Sequence, residues 1–249
     1  METAQPKRYQ VLSGSSLKLI AIVTMFIDHI GAAVLEMPAV WAFVGNRADV
    51  VDPFFNDPTL SLLRDADIIL RLIGRVSFPI FCFLLVEGFL HTRDLKKYMG
   101  RMAVFCLLSE IPYNLAFFDS LSAPQLQNVF FTLLLGLAAM ALLRRYGAKS
   151  LAGIAGAAAC ALLAELLRTD YGAFGVVLIL IFYLLRERPA LQTAAACAAL
   201  AWEVTAPLAL LPIRLYNGQR GRLQLRYLFY LFYPAHILLL WGFRVLIFG

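Results

Sequence analysis

The chain has 249 residues, 61% of them hydrophobic and 15% charged, with a formal net charge of +6. Soluble domains average about 45–50% apolar and about 25% charged residues, so this composition excludes a disordered chain, a collagen, a coiled coil or a disulfide scaffold, and argues against a soluble enzyme. A spanning helix takes about 20 apolar residues, so the length fits one polytopic domain over 1–249: an all-α transmembrane bundle of about eight spans.

Residues 1–16 are polar, and the apolar run over 17–35 lacks a small-residue cleavage site, which predicts a retained first helix. An acidic loop over 36–67 follows, with Asp49, Asp52, Asp57, Asp65 and Asp67. Further helices are predicted over 68–90, 98–118, 128–143, 151–167, 171–185, 190 to about 213 with a break near Pro207, and 227–248. The Ala- and Gly-rich stretch 151–163 reads as close helix packing through small residues. Cys82, Cys106, Cys160 and Cys197 all lie in apolar runs without zinc spacing; they read as buried free thiols, and no metal site is expected.

Lysines and arginines set the orientation. They cluster at the amino terminus (Lys7, Arg8, Lys18) and in alternate loops (Arg93, Lys96, Lys97; Arg144, Arg145, Lys149; Arg186, Arg188). These segments and the amino terminus are therefore expected to be cytoplasmic, which accounts for the net charge without a nucleic-acid partner. One basic loop breaks the alternation: Arg214, Arg220, Arg222 and Arg226 would lie outside after eight simple spans. Pro207 and Pro212 offer the preferred alternative, in which 207–213 folds back as a half-helix and returns the loop to the cytoplasmic side.

Ionisable residues inside spans cost at least about 2.5–3.5 kcal/mol each at the membrane centre, so they mark candidate function. Lys18 and His29 are eleven residues apart in the first helix, which places them on one stripe with a rise of about 16–17 Å. A neutral imidazole is cheap to bury and accepts a proton near neutral pH, as a general base must. Against this stands the plain alternative of a core histidine bonded to a neighbouring helix. Asp28 points about 100° away from His29 and is expected to pair with an arginine of another helix. Arg71 is expected to snorkel to the outer interface. Arg75, deeper, is expected to pair with a carboxylate such as Asp28 or Glu110. Glu110 stands beside Pro112, where a bent helix would line a cavity. Asn128 is expected to cap the helix it opens, and Thr132 to bond back onto its own helix. Tyr233 and His236 share a face beside Pro234, so helices one and eight are expected to share a polar site. In the loop Tyr216-Asn217-Gly218-Gln219-Arg220-Gly221-Arg222, glycines and arginines suit an anion.

The segments LKLIAIVTMFIDHIG, RLIGRVSFPIFCFLLVEGFLHTRDLKKY, SEIPYNLAFF, NVFFTLLLG and YNGQRG followed by FYLFYPAHILLL resemble the TraX family, which is named for a conjugation protein that acetylates the amino terminus of pilin. The resemblance covers nearly the whole chain. That family in turn looks like a compact relative of the membrane acyltransferases of cell-surface sugars, which carry Arg or Lys, ten residues, then His in the first helix, as Lys18 and His29 do. Arg93 and Arg101 loosely match a basic stretch after the second helix of those enzymes. Tyr233-Pro234-Ala235-His236 matches a late Tyr-Leu-x-His with Pro in place of Leu.

The resemblance implies an integral enzyme of the cell inner membrane that takes acetyl from cytoplasmic acetyl-CoA to an unidentified acceptor, a pilin-like protein or an envelope glycan. It implies His29 as base with His236 as second candidate, Arg75 or Tyr233 at the oxyanion, and Lys18, Arg220 and Arg222 on the phosphates. Two other readings stand beside it. A transporter or proton-coupled carrier would use the same buried His, Glu and Arg, but no inverted repeat accompanies them. A structural partner in an envelope machine would tolerate loss of His29.

Overall fold

A computed structural model describes residues 8–45, 60–221 and 226–248. Among these residues the fold is an all-helical bundle, and the extended pairings are two isolated bridges, Leu12 with Tyr216 and Gln127 with Thr169. Gly14–Leu35, Ser61–His91, Val129–Tyr146 and Tyr230–Phe248 are long and apolar enough to cross a membrane, and Leu151–Leu166, Gly172–Leu184 and Pro189–Leu200 are shorter apolar helices. The protein is a membrane protein.

Helix α1 spans Gly14–Ile30, capped by the Ser13 side chain, which accepts from the Ser16 amide. It continues as a π-helical turn, Gly31–Leu35. The stretch expected to be loop instead carries α2, Pro38–Gly45, and the start of α3, Ser61–Gly74; Asp49, Asp52 and Asp57 lie outside the described residues. The expected second helix is divided into α3 and α4, Ser77–His91. The cause is Pro79, which has no amide to offer the Arg75 carbonyl one turn earlier and crowds it with its ring.

Helix α5, Leu95–Phe118, opens on Asp94, whose carboxylate accepts from the Lys97 amide. That bond holds the Asp94 carboxyl below its usual range. Asn128 caps α6, Val129–Tyr146, as expected. Helix α7, Leu151–Leu166, and α8, Gly172–Leu184, follow, and Gly136 of α6 lets Ile179 of α8 approach so closely that a Cβ there would lie 2.3 Å from it. Three cysteines are buried, but Cys197, on α9 (Pro189–Leu200), is exposed because it falls on that helix's unpacked face.

The segment after α9 turns over residues 201–205, makes a 3-10 turn, Ala206–Ala209, and continues as α10, Leu210–Arg214. Thr205 Oγ1 donates to the Leu72 carbonyl at 2.5 Å, whereas the Tyr216 hydroxyl donates to Glu87 at 3.0 Å. Between those contacts the chain therefore runs back along α4, from the α3–α4 break toward His91. This is the fold-back expected from Pro207 and Pro212. It delivers the basic loop to the start of α1: Gly14 N–H donates to Gln219 O at 2.7 Å and Ser15 N–H to Arg220 O at 3.0 Å. The last helix, α11, spans Arg226–Phe248. It packs on α1 and α5, while α1 also meets α3 and α4.

Candidate functional site

The two intramembrane histidines meet. His29, near the end of α1, places Nδ1 2.6 Å from His236 Nε2 of α11, and His236 Nδ1 lies 2.6 Å from the Phe232 carbonyl one turn earlier in its own helix. The rings stack at 4.9 Å between centroids. His236 is 2% exposed, whereas His29 is half-buried. The polar site expected between the first and last helices is thus present as a hydrogen-bonded pair. Phe117 and Tyr233 stand edge-on to His29 at 5.6 and 5.8 Å, and the Tyr233 hydroxyl meets the Val129 amide at the start of α6.

Asp28 points the other way, as its 100° offset requires. It pairs with Arg71 of α3, and Arg71 Nε also reaches Glu36 at 3.0 Å. Arg71 is therefore held inside a charge cluster and does not snorkel. Arg75 corrects a second expectation: its carboxylate is Glu203 at 3.2 Å, not Asp28 or Glu110. Glu110 instead accepts from Asn128 Nδ2 at 2.6 Å, and the same amide reaches the Cys106 carbonyl at 3.0 Å. Thr132 does not bond back onto its own helix. Its hydroxyl donates to the Asp170 carbonyl and lies 2.8 Å from Thr169 Oγ1, because the α7–α8 link packs directly over it.

Of the two oxyanion candidates, Tyr233 touches the histidine pair, while Arg75 belongs to the charge cluster with Glu203. Sequence reasoning missed Glu203 and Arg244. Both are ionisable and sit in apolar runs, which is the signal that selected His29. Arg244 of α11, 2% exposed, donates to the carbonyls of Ala33 and Ala116 at 2.8 Å and pairs with Asp119.

The basic candidates gather at the end of the bundle where α1 begins. Lys18 is half-buried in the second turn of α1, and Arg93 and Arg220 are exposed nearby in sequence to His91 and on the returning loop. Arg101 lies over the Tyr98 ring at 5.9 Å and bonds the Tyr230 hydroxyl. Arg222 lies outside the described residues. At Gly221 a Cβ would come within 2.4 Å of Ser15 Oγ, so glycine is needed for the loop to lie against Ser13 and Ser15. No group of three metal-ligating side chains occurs among the described residues.

The profile of the TraX protein family matches residues 13–244. A probable fimbrial assembly protein of Dichelobacter nodosus, FimC of serogroup H1, is 30% identical and aligns with 92% of this chain and 94% of its own length. No solved structure matches the chain significantly.

Proposed function

Since the chain belongs to the TraX family, we propose that it is an integral acyltransferase of the cell inner membrane, amino terminus cytoplasmic, which moves an acetyl group from acetyl-CoA to an acceptor hydroxyl or amine. The observation that carries this reading is the His29–His236 contact at 2.6 Å, built on a helix whose opposite end meets a basic loop. A half-buried imidazole, oriented by a second group, is the arrangement a general base needs. The relative named as a fimbrial assembly protein favours a pilin-like acceptor.

The donor is a cytoplasmic substrate. Lys18 and Arg220, with Arg93 and Arg101 at the same end, fit its phosphates, because the Gly221 approach to Ser15 holds the Arg220 backbone against the α1 start. His29 takes the proton from the acceptor O–H or N–H as the acceptor lone pair bonds to the acetyl carbonyl carbon. The carbon–sulfur bond then breaks with its electron pair on sulfur, and His29 returns the proton there. Tyr233, edge-on to His29, is placed to steady the developing oxyanion. Asp28 and Glu110 act one step away: Asp28 holds Arg71, and Glu110 holds Asn128 at the α6 start.

The test is acetyl-CoA binding and acetyl transfer by the purified protein beside His29→Ala. Retained binding with transfer reduced about 10²–10⁴-fold is the expected result. A folded wild type that binds no acetyl-CoA overturns the proposal.

A further inference from the structure

We infer that His236 is a positioning residue, which fixes His29 in the tautomer that carries its proton on Nδ1 and leaves the Nε2 lone pair for the acceptor. The inference rests on the acyltransferase reading and deepens it by separating the two histidines into unlike roles.

The hydrogen-bond chain fixes the assignment from one end. The Phe232 carbonyl has no proton to give, so His236 Nδ1, 2.6 Å away, is the donor. A neutral imidazole has one N–H, so His236 Nε2 is left as an acceptor. His29 Nδ1, 2.6 Å from it, must then donate. The single remaining lone pair of the pair of rings lies on His29 Nε2. Reversing the central bond would require a charged His236. That ring is 2% exposed, and the rings around it are Phe26, Phe232, Tyr233 and His29, none of which carries a negative charge to offset a buried cation. Exposure points the same way. His29 is half-buried, whereas His236 is almost fully enclosed. When His29 takes a proton on Nε2 it keeps its Nδ1–H on His236, so the second ring stabilises the cation without accepting the proton itself.

The chain holds three histidines, so ring nitrogens labelled with 15N are readable one by one. His91, at the end of α4, is removed from the spectrum by His91→Asn. The purified wild type in detergent should show a protonated Nδ1 and a bare Nε2 for both His29 and His236. In His236→Ala, His29 should revert to the Nε2–H form common for free imidazole, and acetyl transfer should fall about 100-fold or more in kcat with KM for acetyl-CoA unchanged. In His236→Gln, the amide oxygen stands where Nε2 was and should restore both the tautomer and most of the rate. A wild-type His29 protonated on Nε2 overturns the inference, as does wild-type kcat in His236→Ala, or a Gln variant as inactive as His29→Ala. The spectrum needs no turnover, so an inactive wild type with the expected tautomers sinks the acyltransferase reading alone.

Discussion

Asp28 and His29 are neighbours in sequence and strangers in space. One faces α3 and its arginine, the other faces α11 and its histidine. The two environments are kept apart by the close approach of α1 to α3 at Gly74, where a Cβ would lie 2.2 Å from Asp28 Cβ. Gly74→Ala should therefore push the helices apart and cost about 1–3 kcal/mol, read as a lower thermal midpoint in detergent. Gly242→Ala is the control: a Cβ there meets nothing within 4 Å, and it should hold or raise the midpoint. The rule that charge inside an apolar run marks function led from the sequence to His29, Arg75, Glu110 and His236. Their partners were harder to read. Arg75 and Glu203 are 128 residues apart, and no local spacing encodes such a pair, whereas Asn128 at the head of α6 announces its own role as a cap.

At the scale of elements, two helices depart from regularity and both departures have a cause in the chain. Pro79 divides α3 from α4. The π-helical turn after α1 is held by Arg244, which takes up the Ala33 carbonyl within that turn and the Ala116 carbonyl at the end of α5. Arg244→Met would fill similar volume and leave those buried carbonyls and Asp119 without their donor, at about 1–3 kcal/mol for each unsatisfied buried group. The expected outcome is a large drop in thermal midpoint, with His29 displaced because the turn begins two residues after it. Helix positions were legible because apolar runs and their breakers are local. The α3–α4 break escapes the sequence reading, which predicts one helix over 68–90 straight across Pro79 and places the amphipathic stretch before Ile68 in a loop. Its buried residue, Asp67, is polar.

At the scale of the whole molecule, the returning segment 201–214 decides which loops share an end. Thr205 sits by Leu72 and Tyr216 by Glu87, so the basic loop, the α1 start and Arg93 belong together. Helix α5 is 24 residues long, about 36 Å at about 1.5 Å per residue, which carries Ser122 to the other end. In a variant without native cysteines, single cysteines at Gln219 and Arg93 should react with a membrane-impermeant thiol reagent from the same side, and one at Ser122 from the opposite side. Labelling of Gln219→Cys together with Ser122→Cys would refute the fold-back. The sequence raised this topology through charge and two prolines, but the choice between spans and fold-back lay in contacts between segments far apart in the chain.

The histidine pair joins positions separated by 207 residues, nearly the two ends of the chain. Translation at about 5–20 residues per second puts roughly 10–40 s between their syntheses. For that interval α1 waits in the bilayer with a polar ring that has no partner, and the Gly221 seat against Ser15 is equally unmade. Every other helix is in place before the candidate catalytic pair exists. An incomplete chain, stalled or cut before α11, thus carries most of the core, and His29 without the ring that orients it. The order of synthesis by itself withholds the histidine pair until the bundle is closed.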